Sequence, residues 1–238
     1  MDQGGGAPRF HGRIPFVILD AVVFDLYETL VTELNKPVRR AGSLATQLGL
    51  DESAYKRAWK SRRPEIVLGR CTFHDALAHI AAELGGVVDE PLLERLRSER
   101  VAQKTAVLKT VEPDVLAAVG ALHDRGLKLA VVTNAFAEDV AGWESSPLRP
   151  FFDVTIFSYA VGLAKPDPEI YLQACRALGV VPQCAVFVGD GVEEVAGARA
   201  AGLAASRALW FASRWPQPTV KPDDLGVWRI SQIVEAGA

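Results

Sequence analysis

Five short apolar runs without polar alternation mark the chain, at residues 17–26, 127–132, 154–157, 185–188 and 207–211. A strand covered on both faces keeps both of its side-chain rows apolar, so each run predicts a strand inside a sheet sandwiched by helices. Apolar positions at helical spacing fill residues 113–122, 168–178 and 192–201, ahead of the second, fourth and fifth runs. Alternating strand and helix predicts right-handed crossovers and an α/β fold with a doubly wound, mainly parallel sheet.

The rhythm breaks once. Residues 36–110 show no strand pattern, only helical spacings such as Ala41-Leu44-Leu48, Ala54-Ala58, Ala76-Ile80-Leu84 and Leu92-Leu96. Arg63-Pro64 and Gly85-Gly86 read as turns between those helices. A helical insert directly after the first strand is expected to form a small bundle over the carboxyl edge of the sheet, where ligands of open α/β sheets bind. The expected organisation is a polar, glycine-rich tail over 1–12, a core over 13–35 and 111–238, and a helical cap over 36–110.

Composition narrows the classes. Of 238 residues, 49% are apolar, enough for one substantial core with a modest second module. The formal charge of -3 offers no broad basic field, so a nucleic-acid partner is not expected. Cys71, Cys175 and Cys184 are odd in number and lack C-x-x-C spacing, which fits a reducing compartment better than a disulfide scaffold or a cysteine zinc site. The first 12 residues contain no apolar segment like that of a signal peptide, and no run approaches the roughly 20 apolar residues of a membrane span. The expectation is a cytoplasmic protein with no membrane partner, acting on a small molecule.

Four segments carry chemistry. Val22-Val23-Phe24-Asp25 is a strand ending in a carboxylate, and Val131-Val132-Thr133-Asn134 is one ending in a hydroxyl and an amide. Thr133 and the backbone amides of the turn after it could bind an anion. In Gly162-Leu163-Ala164-Lys165-Pro166-Asp167-Pro168, two prolines stiffen the chain after the lysine and open a helix. Val188-Gly189-Asp190 leaves a strand, with Glu194 one helical turn further on, and paired oxygens of this kind suit Mg²⁺. Singly, each has an ordinary explanation: a turn cap, a helix cap, a solvated lysine, a surface carboxylate. Here all four stand at consecutive strand ends.

In this order they resemble the four motifs of the haloacid dehalogenase-like (HAD) hydrolase superfamily, and the helical insert is similar to that family's C1 cap. The resemblance runs from about residue 17 to 211. It implies that Asp25 is a nucleophile, that Thr133 binds a transferring oxygen, and that Lys165 stabilises the resulting charge. It also implies that Mg²⁺ is held by Asp25, the carbonyl of Tyr27 and Asp190, with Glu194 beside its waters. Tyr27, Thr133, Asn134 and, from the insert, Arg57 become candidate contacts for a small anionic substrate.

One position departs from the pattern. Most phosphatases of the superfamily place a second aspartate two residues after the nucleophile, to protonate the leaving group; here Tyr27 stands there, followed by Glu28 as a candidate substitute for the acid. Tyrosine at this position is similar to the 2-haloacid dehalogenases, which use no metal, but those carry a Ser-Asn type of fourth motif where this chain keeps Asp190 and Glu194. The resemblance therefore implies Mg²⁺-dependent hydrolysis of a small phosphomonoester, with 2-haloacid dehalogenation and a catalytically impaired ligand-binding or regulatory protein as the alternatives.

Overall fold

A computed structural model describes residues 19–34, 43–214, 226–227 and 229–236. The expected tail, the start of the first apolar run and the start of the cap lie outside the described residues.

Five strands form one parallel sheet: β1 (Ala21–Phe24), β2 (Lys128–Thr133), β3 (Val154–Phe157), β4 (Ala185–Gly189) and β5 (Ala204–Arg207), in the spatial order β3-β2-β1-β4-β5. The register pairs Phe24 with Val131 on one side and with Val188 on the other, so β2 and β4 run two residues and one residue past the end of β1 and flank Asp25. The chain builds outward from β1 through β2 to β3, then returns to lay β4 and β5 on the opposite flank. The reversal lies between β1 and β4. At such a switch point the two connections part and leave a crevice beyond the strand ends.

Both faces of the sheet are buried, as the unbroken apolar runs require. Val22 and Phe24 of β1 point into a cluster with Val115, Val119 and Leu122 of α5 (Pro113–Asp124). Ala21 and Val23 point the other way, into a cluster with Ile170 and Ala174 of α8 (Pro168–Leu178) and Val195 and Ala198 of α9 (Val192–Ala200). The alternation is the two-residue period of a strand.

Between β1 and α5 the chain makes four helices, α1 (Leu44–Gln47), α2 (Glu52–Val67), α3 (Phe73–Glu83) and α4 (Glu90–Lys109). Asp51, Thr72 and Asp89 cap α2, α3 and α4 by accepting from Ala54, Asp75 and Leu92 backbone amides. These helices enclose a third cluster built on Tyr55, Phe73, Leu77, Ile80, Leu93 and Leu96, which also takes in Phe136 from the loop after β2.

Two local expectations fail. Arg63-Pro64 is no turn: Pro64 lies inside α2. The proline removes one helical hydrogen bond, but Ile66 and Val67 beyond it are buried in the helical cluster, and their burial holds the last turn together. The fifth strand precedes its apolar run. β5 is a half-buried edge of Ala, Ala, Ser and Arg, whereas the chain beyond it buries Ala208, Trp210 and Phe211 in the first core cluster and packs Leu209 on Ala212. Apolar runs report burial, and burial alone does not fix strand geometry. Two helices bracket the short loops near the site, α6 (Ala137–Val140) after β2 and α7 (Ser158–Val161) after β3, and α10 (Ser231–Ala236) packs on α5. Among the described residues no helix is long and apolar enough to cross a membrane.

Candidate active site

The carboxyl edge of the three central strands brings Asp25, Lys165, Asp190 and Glu194 together. Asp25 follows β1 directly, and its amide bonds to the Val188 carbonyl of β4 at 2.8 Å, fixing it to both sides of the switch point. Its side chain is buried, and so is that of Lys165. The Lys165 ammonium donates to Asp25 Oδ1 and lies 2.8 Å from Glu194 Oε2. One carboxylate oxygen each from Asp25, Asp190 and Glu194 falls within 4.8 Å of the other two.

One buried and two half-buried carboxylates around one buried ammonium make an unbalanced set. Burial, reinforced by Glu194 and Asp190 and opposed by Lys165, pushes the Asp25 carboxyl up to about 7. Asp190 is raised for the same reason, first by burial and then by Glu194. Burial would lower Lys165, but the charges of Asp25 and Glu194 outweigh it and hold the ammonium protonated.

Backbone chemistry explains how the four side chains reach one place. A Cβ on Gly189 would stand 2.6 Å from the Phe187 ring and 3.2 Å from the Asp25 Cβ, so only glycine lets the end of β4 approach the carboxylate. The loop carrying Lys165 is clamped from two directions. Asn134 gives both ends of its carboxamide to the Lys165 main chain, accepting from the amide and donating to the carbonyl at 2.8 Å each. On the other side α9 presses against the loop: a Cβ on Gly197 would lie 2.2 Å from the Pro166 carbonyl oxygen. Tyr171 of α8 donates to the Glu194 carbonyl at 2.7 Å, tying the two helices that frame the lysine.

The remaining candidates take other places. Thr133 ends β2 and is buried. The two amides following Asn134 do not form an open anion cradle: Ala135 N donates to Ser158 Oγ at 3.0 Å and Phe136 N to Asp139 Oδ2 at 3.1 Å. Asn134, expected to touch substrate, has its carboxamide engaged by Lys165. Arg57 is exposed on α2, because Tyr55 and Ala58 claim the buried face and turn residue 57 outward; no described contact links it to Asp25. Glu28, whose charge contributes to raising Asp190, has its carboxylate engaged by its own turn. It adopts a left-handed backbone (φ 57°), and its carboxylate accepts from Thr32 Oγ1 at 2.7 Å and Glu33 N at 3.0 Å.

Tyr27 sits at the junction of core and insert. Its hydroxyl donates to the Asp139 carbonyl at 2.5 Å, and Lys104 Nζ lies 4.2 Å from the ring centroid. Burial, followed by the charges of Asp139 and Glu33, raises the phenol well above its ordinary range. Beside it, Arg100 of α4 reaches Asp139 Oδ1 at 2.6 Å and lies over the rings of Phe73 and Phe136, 5.0 and 4.8 Å from their centroids. Arg100, Lys104 and Asp139 did not stand out in the sequence. The first two lie in a highly charged helix, where only i, i+3 and i, i+4 partners can be paired by spacing; the third looks like an ordinary first-turn acid.

A family model for haloacid dehalogenase-like hydrolases matches residues 19–202. The chain belongs to that family. Among curated relatives, it is 31% identical over 200 residues to a glyceraldehyde 3-phosphate phosphatase of Methanopyrus kandleri, covering 80% of this chain and 84% of that one. It is 28% identical over 190 residues to an (S)-2-haloacid dehalogenase of Burkholderia cepacia, covering 76% and 78%. Among solved structures, a 2-haloacid dehalogenase of Pseudomonas syringae pv. tomato superposes with a TM-score of 0.62 at 24% identity, over 92% of this chain and 97% of that one. A Bacteroides thetaiotaomicron family enzyme in complex with magnesium and inorganic phosphate gives 0.57 at 15% identity, over 86% and 98%. At these identities the structural matches speak for the fold.

Proposed function

We propose that this HAD-family hydrolase is a Mg²⁺-dependent phosphatase acting on a small phosphorylated compound, with Asp25 as the nucleophile. The observation that carries the reading is the convergence of Asp25, Asp190 and Glu194 around a single buried ammonium. The donor set fits a hard divalent cation, since its three side chains all offer carboxylate oxygens. Asp25, Asp190 and Glu194, with the Tyr27 carbonyl, would hold Mg²⁺, which when bound neutralises charge on the carboxylates and on a phosphoryl group.

The chain's own residues supply the rest. Asp25, held rigidly by its bond to Val188, aims one oxygen at phosphorus and forms an aspartyl-phosphate, dividing one displacement into two. Lys165, fixed through Asn134, stabilises the developing charge, and Thr133 offers a hydroxyl to a phosphoryl oxygen. The helical insert acts as a cap that shuts water out of the crevice. The phosphatase named among the relatives supports the substrate class.

Turnover of 4-nitrophenyl phosphate with and without Mg²⁺ tests the reading. It should require the metal and vanish in Asp25→Asn, and Mn²⁺ binding followed by electron paramagnetic resonance should weaken in Asp190→Asn. A second reading, displacement of halide from a 2-haloacid, is favoured by one observation, that the Tyr27 hydroxyl is turned toward Asp139. Chloride release from 2-chloropropionate without added metal, and no phosphate release, would establish it instead.

A further inference from the structure

Displacement at phosphorus requires the leaving oxygen to depart with the P–O electron pair. When that oxygen belongs to an ordinary alcohol, a proton must reach it in the transition state, and a positioned acid contributes about 10²–10⁴-fold. Among the described residues, the titratable side chains around Asp25 are engaged elsewhere. The Tyr27 hydroxyl donates to the Asp139 carbonyl. The Glu28 carboxylate accepts from Thr32 and Glu33. Asp139 accepts from Phe136 N through Oδ2 and meets Arg100 through Oδ1. Asp190 and Glu194 face Asp25 in the carboxylate cluster, and the Lys165 ammonium is shared between Asp25 and Glu194.

From this we infer that the site takes phosphate carried on a leaving group that needs no proton: an acyl phosphate or an aryl phosphate, rather than the phosphate of an alkyl alcohol. The inference rests on the phosphatase reading above and narrows its substrate class. The step balances without an acid. An Asp25 oxygen forms a bond to phosphorus, and the P–O bond to the leaving group breaks. The electron pair goes to that oxygen, which departs as a carboxylate or phenolate. Water then attacks phosphorus, the bond to Asp25 breaks to regenerate its carboxylate, and both water protons leave on the phosphate product. This second step also expels a carboxylate, so it too needs no donor on its leaving oxygen. The glyceraldehyde 3-phosphate phosphatase among the relatives is named for an alkyl phosphate, so the inference sets this chain apart from it.

The experiment is a leaving-group series with Mg²⁺ present: acetyl phosphate, substituted phenyl phosphates and 2-phosphoglycolate, with kcat/KM set against leaving-group pKa. That pKa rises from about 4 for a carboxylic acid to about 10 for phenol, and higher for an alcohol. The expected result is a steep fall, with the alkyl phosphate at least about 10²-fold below the phenyl member. Comparable rates for phenyl and alkyl phosphates would overturn the inference while leaving the phosphatase reading intact. Tyr27→Phe keeps the ring and removes the hydroxyl. Whatever its absolute rate, its slope should match wild type, and a steeper slope would make Tyr27 the missing acid and overturn the inference. Tyr27→Asp, if folded by circular dichroism, should raise alkyl phosphate turnover by about 10²-fold or more and flatten the slope; a folded variant with no gain counts against it. If no phosphate compound is turned over at all, the phosphatase reading fails and carries this inference down with it.

Discussion

Replacing Gly197 by alanine sets two opposing effects against each other. Gly197 lies in α9, three residues after Glu194. In an unconstrained helix interior alanine is favoured over glycine by about 1 kcal/mol. Here its Cβ would stand 2.2 Å from the Pro166 carbonyl oxygen, 2.8 Å from Pro166 Cβ and 2.9 Å from the Pro166 carbonyl carbon. Close C···O contacts ordinarily sit at about 3.3–3.6 Å, so helix and loop must part by about 1 Å. The obstructing atoms are backbone and the proline ring, which cannot rotate aside, placing the penalty toward the upper part of the roughly 1–3 kcal/mol typical of overpacking. The clash wins, with a net loss of about 1–2 kcal/mol. The damage is directional: Pro166 follows Lys165, and Glu194 rides on the displaced helix, so the ammonium and its two carboxylates are pulled apart. Misplacement of catalytic groups by about 1 Å can cost on the order of 10²-fold in rate. Urea unfolding should show a lower midpoint at unchanged slope, and kcat/KM toward 4-nitrophenyl phosphate should fall at least tenfold. A Gly197→Ala protein as stable as wild type and fully active would refute the packing argument.

Three further outcomes are expected. Asn134→Ala removes two hydrogen bonds to the Lys165 main chain and should lower stability by about 2 kcal/mol, with a drop in kcat, measured by denaturation and steady-state kinetics. Arg100→Met strips the ion pair from the buried Asp139 carboxylate and should cost about 3 kcal/mol; a loss below 1 kcal/mol by denaturant titration would show that Asp139 finds another partner. In EDTA, the folded Asp25 carboxyl titrates near 7 against about 3.9 when unfolded, so the folded state holds the extra proton between those values. Its contribution to stability is therefore greatest at low pH and is lost as pH rises toward 7. The melting temperature should fall more steeply from pH 5 to 8 in wild type than in Asp25→Asn, and equal slopes would contradict the assignment.

The parts of this molecule legible in its sequence are those where local pattern and tertiary role coincide. Apolar runs marked the four strands from β1 to β4 because helices pack against them, and the residue ending or following three of them, Thr133, Asp25 and Asp190, stands at one edge of the sheet. Lys165 was legible through the prolines after it. β5 was not, because an edge strand of Ala-Ala-Ser-Arg lacks the covered-face signature and the more apolar segment after it took the assignment. Pro64 misled because a proline's local penalty says nothing of the burial that offsets it. Arg57 was chosen from a run of cations, but the side toward which a cation turns depends on which neighbours the helix buries. Arg100 and Asp139 meet across 39 positions of chain, and no local spacing encodes that.

Helix α4 has a mechanical consequence. It is a single 20-residue rod, about 30 Å long. Its early turns place Leu93 and Leu96 in the interior of the helical cluster, while Arg100 and Lys104 further along grip Asp139 of α6 and the turn bearing Tyr27. A rod anchored at both ends transmits tilt instead of absorbing it. Any swing that admitted a ligand beneath the bundle would lever on the turn immediately after Asp25, so access and the aim of that carboxylate would be adjusted by one and the same movement.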